Sequence, residues 1–160
     1  MSATAVDISI ERATAPDAEI VALLTALDAD LSGPYSSDQH HALSVEKLFQ
    51  PDVRFFVVRH GAEAVACGGI GFYAGYAELK RMYAKPEARG SGIATALLAR
   101  LEAEARNGGA TLLTIETGIY QSAAMRFYEK AGFTRCGAFG PYATMPPNAI
   151  ATSAFYRKAL

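Results

Sequence analysis

The segment ARGSGIATALL, residues 88–98, places an arginine and two glycines directly ahead of an apolar stretch with helical spacing. Glycine adopts backbone angles that other residues avoid, so Gly90 and Gly92 could let the main chain approach a ligand closely. The first amides of a helix lack internal acceptors and carry partial positive charge. Together with Arg89, these amides could bind an anion such as a pyrophosphate.

An ordinary turn is the alternative interpretation of this loop. The loop lacks the GK[ST] ending of a P-loop, and the chain contains no complete GxGxxG motif. Its context favours the anion site, because a predicted strand at 76–84 precedes it and a predicted helix at 92–107 follows it. This order puts the free amides at the end of a sheet.

The elements before the loop are predicted from apolar periodicity and from glycine and proline positions. A first helix is expected to be opened by Thr14 and Pro16. In chain order the predicted elements are strand 7–13, helix 14–31, loop 32–42, helix 44–49 and strands 53–60, 62–73 and 76–84. The three strands have the spacing of an antiparallel meander.

The elements after the loop alternate between strands and helices. They are predicted as helix 92–107, strand 111–117, helix 122–133, strand 133–139, loop 140–149 and strand 152–160. This order indicates a mixed α/β sheet, mostly antiparallel with a central parallel pair, in a single domain over residues 1–160. The terminal strand is a candidate edge for pairing with a second copy of the chain, which would give a homodimer.

The composition indicates a folded globule, whose expected partners are small molecules or local patches on other molecules. Hydrophobic residues make up 51% of the chain and charged residues 19%, and the net charge of −1 argues against a nucleic-acid surface. No apolar run is long enough to span a membrane, and the N-terminus lacks a secretion-signal pattern, so we expect a cytoplasmic protein. Cys67 and Cys136 are interpreted as reduced thiols, and His40 and His41 as a solvated loop without a metal.

Two motifs resemble those of one family. ELKRMYAKPEARGSGIATALL is similar to the acetyl-CoA-binding motif of the GCN5-related N-acetyltransferases (GNAT), whose pattern [QR]xxGx[GA] is matched by Arg89, Gly92 and Ala94. SAAMRFYEKAGF resembles the FYEKxGF helix that follows in the family, and the predicted strand at 111–117 lies between them. The C-terminal segment resembles a bacterial subgroup of small-molecule acetyltransferases.

The resemblance implies a fold in which two neighbouring parallel strands splay apart and hold the pantetheine arm of acetyl-CoA. Coenzyme contacts carried over from the family are Met82, Tyr83, Ala84, Arg89, Gly90, Ser91, Gly92, Ile93, Ala94, Thr95 and Gln121. Several relatives have an asparagine where this chain has Gln121 and Ser122, so the chain departs from the family pattern at that contact. No metal is implied.

The resemblance also assigns two catalytic roles. Glu78 matches a glutamate that accepts the amine proton directly or through water, and Tyr128 matches the acid that serves the thiolate leaving group. The residue types alone allow a solvated ion pair of Glu78 with Lys80, and a core position for Tyr128. Direct attack of the amine in a ternary complex is expected, without an acyl-cysteine.

The acceptor site is expected between the first loop and the last hairpin. Its candidates are Tyr35, Tyr73, Lys80, Arg81 and Tyr142. Lys80 and Arg81 could attract a carboxylate, which favours an amino acid or a related small primary amine, or they could simply be solvated or paired. The alternatives are a non-catalytic acyl-CoA sensor, a protein or peptide acetyltransferase, and a Rossmann-type nucleotide-binding protein.

Overall fold

Seven strands form one mixed sheet in a computed structural model that describes residues 7–160. Their order across the sheet is β1-β2-β3-β4-β5-β7-β6. The strands are β1 (Ile8–Ala13), β2 (Val53–His60), β3 (Glu63–Tyr73), β4 (Tyr76–Ala84), β5 (Leu112–Gly118), β6 (Thr134–Cys136) and β7 (Ser153–Ala159). The predictions of one domain over 1–160 and of an N-terminus without a secretion signal also cover residues 1–6, which lie outside the described residues.

Five α-helices accompany the sheet within the described residues. They are α1 (Ala18–Leu31), α2 (Val45–Leu48), α3 (Ile93–Asn107), α4 (Ser122–Lys130) and α5 (Pro147–Ile150). The predicted start of the first helix was wrong. Asp17 caps α1, because its carboxylate accepts a hydrogen bond from the Ile20 amide at 2.8 Å. This amide has no acceptor within the helix.

Among residues 7–160, one neighbouring pair of strands is parallel. β4 and β5 pair through Ala77 with Leu113 and Glu78 with Thr114, and α3 makes the crossover between them. All other neighbouring strands are antiparallel. The predicted mixed sheet with a central parallel pair is therefore confirmed, and the Rossmann-type alternative, which requires a mostly parallel sheet, is wrong.

The sheet separates two hydrophobic clusters. On one face, Leu97 and Leu101 of α3 and Tyr128 of α4 pack with Leu79 and Leu113 of the central strands. On the other face, α1 and α2 pack against β2 and β3. Because successive residues of a strand point to opposite faces, Glu78 and Lys80 lie on the α1 side while Leu79 lies on the α3 side.

Two further expectations about the C-terminal part were wrong. The terminal strand β7 is not an edge, since it pairs with β5 on one side and β6 on the other. Its run of buried residues, Ala154 to Tyr156, suits a position covered on both faces. The predicted loop 140–149 contains a 3₁₀ turn, Gly140–Thr144, and most of α5.

Among residues 7–160, no helix has the length and hydrophobicity to cross a membrane.

Candidate active site

A cleft of about 730 Å³ lies where β4 and β5 separate. Its walls come from α1, from the loop between α1 and α2, from both central strands and from the starts of α3 and α4. The 3₁₀ turn at 140–144 contributes Tyr142. The cleft therefore connects the N-terminus of α3, near Gly92, with the polar residues on the α1 face of the sheet.

The cleft exists because the parallel pairing stops after two residue pairs. Beyond Glu78 and Thr114, β4 and β5 make no further pairs in the described residues. β4 also contains an extra residue opposite β3, where the register jumps between Cys67–Tyr83 and Gly69–Lys80. At this β-bulge Arg81 has a φ of 54°, which is uncommon for a residue other than glycine. The bulge bends β4, and Met82 to Ala84 line the cleft.

The loop before α3 presents main-chain amides without internal acceptors. Gly90 and Gly92 have φ values of 78° and 87°, a conformation that favours glycine. Gly92 is the N-cap of α3, its position has no side-chain cap, and the first turn of the helix contains no acidic residue. A Cβ added at either glycine would meet nothing within 4 Å. The loop can therefore receive an anion next to the partial positive charge of the helix.

Three side chains form a hydrogen-bonded group on the α1 face of the cleft. The Glu78 carboxylate lies 2.8 Å from the Lys80 ammonium and accepts the Tyr142 hydroxyl at 2.8 Å. Glu78 is 3% exposed and Lys80 8%, so this ion pair is buried. Burial raises the pKa of Tyr142, and the negative charge of Glu78 adds to that rise. Tyr142 therefore stays a neutral donor and fixes one carboxylate oxygen.

Tyr128 reaches the cleft from the opposite face of the sheet. It is 4% exposed, and its ring packs edge-on against Phe127 and Phe133. Desolvation raises the pKa of its hydroxyl well above the usual value, so the group stays protonated. Glu78 and Tyr128 thus lie on opposite faces of the sheet, and both line the cleft opened by the gap between β4 and β5.

A second carboxylate, Glu116 of β5, also lines the cleft. It accepts the Ser153 hydroxyl at 2.7 Å. Desolvation raises the pKa of Glu116, and this outweighs the Ser153 hydrogen bond and the nearby charges of His41 and Lys80, which lower it. His41 is fixed by its Nε2, which lies 2.6 Å from the Ala149 carbonyl oxygen and must donate to it.

Comparison with known proteins agrees with this geometry. The sequence profile described as "Acetyltransferase (GNAT) family" matches residues 20–133, well over half of the chain. The chain belongs to the GNAT acetyltransferase family. The predicted resemblance and the prediction of an acyltransferase enzyme are both confirmed. Membership of this family argues against a protein that only senses acyl-CoA.

Individual GNAT relatives cover nearly the whole chain. An IAA acetyltransferase from Azospirillum brasilense is 39% identical over 142 residues, which are 88% of this chain and 93% of the relative. A crystal structure assigned as an acyl-CoA N-acyltransferase from Klebsiella pneumoniae is 35% identical, with a TM-score of 0.77 over 97% of this chain and 99% of its own. The PaiA N-acetyltransferase from Thermoplasma acidophilum, solved with coenzyme A, shares the fold at 18% identity, with a TM-score of 0.67 over 95% and 99%.

The residues predicted to bind the coenzyme follow the cleft from β4 to α4. Those that line it are Met82, Tyr83, Ala84, Arg89, Gly90, Ala94 and Gln121. Ser91, Gly92, Ile93 and Thr95 lie in the same loop and first helical turn, but their side chains are not part of the wall, and Ile93 is buried in the core. Arg89 donates to the Ala84 carbonyl at 3.0 Å and lies 3.6 Å from Asp30. A coenzyme role for these residues stays a prediction.

The five residues predicted to bind the acceptor do not all lie together. Tyr35, Lys80, Arg81 and Tyr142 line the cleft, whereas Tyr73 lies outside its wall, stacked on Tyr76. The Arg81 side chain is buried and donates to Asp28 of α1 at 3.2 Å. This ion pair connects α1 with the β-bulge of β4. The pairing of Glu78 with Lys80 is confirmed, but the pair is buried and not solvated.

Several polar residues of the cleft were missed by the sequence prediction, and His41 and Glu116 are two of them. His41 was interpreted as a solvated loop residue, but it is half-buried and its ring lies 5.5 Å from that of Tyr142. Glu116 lies in a predicted apolar strand, where a single acid gives no pattern.

Proposed function

We propose that this GNAT protein transfers the acetyl group of acetyl-CoA to the primary amine of a small molecule, by direct attack in a ternary complex. The observation that carries the proposal is the continuous cleft from the Gly90–Gly92 loop, through the gap between β4 and β5, to Glu78. The coenzyme A complex of the Thermoplasma acidophilum relative, which has the same fold, supports a coenzyme in this cleft.

The residues present fit acetyl-CoA in charge and shape. Free amides at the start of α3 and the open space over Gly90 and Gly92 suit the diphosphate. The main chain of Met82 to Ala84, beyond the last pair with β5, suits the amides of the pantetheine arm in the manner of an added strand. When bound, acetyl-CoA supplies the acetyl thioester.

Glu78 and Tyr128 lie on opposite faces of the sheet and have different roles, proton acceptor and hydrogen-bond donor. An alkylammonium has a reference pKa near 10.4, so the amine must lose a proton before it reacts. Glu78 accepts that proton, directly or through water. The raised pKa of Tyr128 keeps its hydroxyl protonated, and it stabilises the departing thiolate by donating a hydrogen bond.

Neither cysteine suits a covalent route. Cys67 is buried, and desolvation raises its pKa to about 12, so it is not a thiolate at neutral pH. Cys136 lies on β6, away from the cleft wall, and desolvation raises its pKa as well. This supports direct transfer without an acyl-cysteine.

Replacement of Gly92 by valine tests the coenzyme site. Gly92→Val places a branched side chain in the open space over the loop, and we expect acetyl-CoA affinity, measured by calorimetry, to fall by about 100-fold or more. Gly75→Val is the matched control, because Gly75 also has a φ of 87° and open surroundings but lies in the β3–β4 turn. Equal affinity of the two variants for acetyl-CoA would contradict the assignment.

An amine panel tests the reaction itself. Release of free thiol from acetyl-CoA, measured with a panel of small primary amines and with lysine-containing peptides, should show turnover on the amines. Turnover on peptides alone would favour a protein acetyltransferase. Binding of acetyl-CoA without thiol release on any acceptor would favour the sensor.

A further inference from the structure

We infer that the acceptor carries a second positive charge and no carboxylate, as a diamine does, and that Glu116 binds this second charge. The inference rests on the proposed function, because it names the class of amine that the same cleft accepts. Four residues of the α1 face carry it: Lys80, Arg81, Glu116 and Tyr35.

The cations of this part of the cleft are already paired with protein carboxylates. Lys80 lies 2.8 Å from Glu78 inside the protein, and Arg81 is bound to Asp28 of α1. A substrate carboxylate would have to displace one of these partners and leave it buried without a counter-charge, which is costly. The paired cations therefore disfavour an amino acid that presents its carboxylate here.

Glu116 is the carboxylate of the cleft that lacks a cation. Among residues 7–160 it makes no ion pair, and it accepts the Ser153 hydroxyl at 2.7 Å. The charges of His41, Glu78 and Lys80 act on the pKa of Glu116, and the charge of Glu116 in turn acts on that of Tyr142. The charges of Glu78 and Lys80 neutralise each other, and Tyr142 is neutral. His41 is near enough for its charge to lower the pKa of Glu116, but its Nε2 is bound to Ala149 and it forms no ion pair with Glu116 among the described residues. The Glu116 carboxylate is therefore open to an ion pair with a substrate cation.

The surroundings of Glu116 suit an ammonium on an apolar chain. Tyr35 lies directly over Gly118, two residues further along β5, and its hydroxyl accepts the Tyr120 amide at 3.1 Å. The rings of Tyr35 and Tyr142 both line the cleft. Aromatic faces attract cations, so they add to the preference that the free carboxylate creates.

Three amines with a common five-carbon chain test the inference: terminal pentanediamine, pentylamine and aminohexanoate. We expect kcat/KM for pentanediamine to exceed that for aminohexanoate by about 10-fold or more, since charge-assisted hydrogen bonds in partly buried sites have effects of that order. In Glu116→Gln the ratio of kcat/KM for pentanediamine over pentylamine should fall by about 10-fold, mainly through KM.

Two further variants serve as controls. Glu46→Gln removes the same charge from an exposed position of α2 and should leave the ratio unchanged. Glu116→Asp retains the charge and should keep part of the preference. A preference of the unmodified protein for aminohexanoate or pentylamine, or an unchanged ratio in a folded Glu116→Gln, would overturn this inference alone. Transfer to other amines of the panel but to none of these three would also overturn this inference alone, whereas absence of transfer to every amine of the panel would overturn the proposed function together with it.

Discussion

Tyr128 and Glu78 illustrate how one residue can satisfy both the core and the chemistry. Tyr128 packs with Phe127 and Phe133 as any core aromatic does, yet it also lines the cleft. Glu78 forms the ion pair with Lys80 that its spacing suggests, yet the pair is buried beside the gap in the sheet. At the scale of the residue, the structural and catalytic interpretations are therefore compatible.

Removal of the Tyr128 hydroxyl should affect the chemical step. We expect Tyr128→Phe to lower kcat by about 100-fold while the affinity for acetyl-CoA stays nearly normal, because the hydroxyl acts on the leaving thiolate. Tyr156→Phe is the control, since it removes a buried hydroxyl that donates to Glu129 outside the cleft wall. Steady-state kinetics of both variants measure the effect, and equal kcat values would rule out this role.

At the scale of the element, the cleft is a consequence of interrupted pairing. An extra residue in β4 bends the strand at Arg81, and the ion pair of Arg81 with Asp28 attaches α1 next to the bend. On its other side, β5 pairs with β7 along its whole length, from Leu112 to Gly118. The end of β5 at Gly118 leaves room for the ring of Tyr35, which joins the first loop to the start of α4.

A methyl group at Gly118 should disturb the acceptor end of the cleft. A Cβ at this position would fall on the Tyr35 hydroxyl, so Gly118→Ala must displace that ring. We expect KM for the amine to rise by about 10-fold with a smaller change in kcat, because the substrate loses a wall that positions it. Gly137→Ala, which would meet nothing within 4 Å, is the control. Identical kinetics of the two variants would show that Tyr35 does not border the acceptor.

At the scale of the whole molecule, the site lowers the stability of the fold. Glu116 is kept in a partly desolvated cleft that raises its pKa above the ordinary value of a glutamate. A carboxyl group with a raised pKa in the folded state destabilises that state when it ionises. This loss of folding stability is absent below about pH 4, where Glu116 is protonated in the folded and the unfolded protein. It reaches its full size above the pKa that Glu116 has in the folded protein.

Glu116→Gln should therefore be more stable than the unmodified protein at neutral pH. Glutamine can still accept the Ser153 hydroxyl, but it carries no charge. Thermal unfolding at a series of pH values should show a higher Tm for the variant at pH 7 and a difference that disappears as the pH falls towards 4. Glu46→Gln should show no such pattern. A lower Tm of Glu116→Gln at pH 7 would show that the ionised Glu116 does not destabilise the folded state.

Much of the fold was predictable because its signals are local. Period-two and helical apolar patterns located the strands and the long helices, and β2 and β4 have the predicted bounds. The start of α1 was missed because Thr14, Pro16 and Asp17 compete as helix openers within one short segment, and the hydrogen bond to Ile20 selects Asp17. The place of β7 in the sheet was missed because strand order depends on contacts between distant segments.

The sequence by itself determined the family, the order of the elements and the loop of free amides before α3, because each depends on residues that are close in the chain. Only the tertiary structure decided which charges are neutralised. Arg81 meets Asp28, 53 residues earlier, and Glu116 meets Ser153, 37 residues later. Whether a charge is paired, buried or free for a substrate depends on such long-range contacts, and no local pattern encodes them.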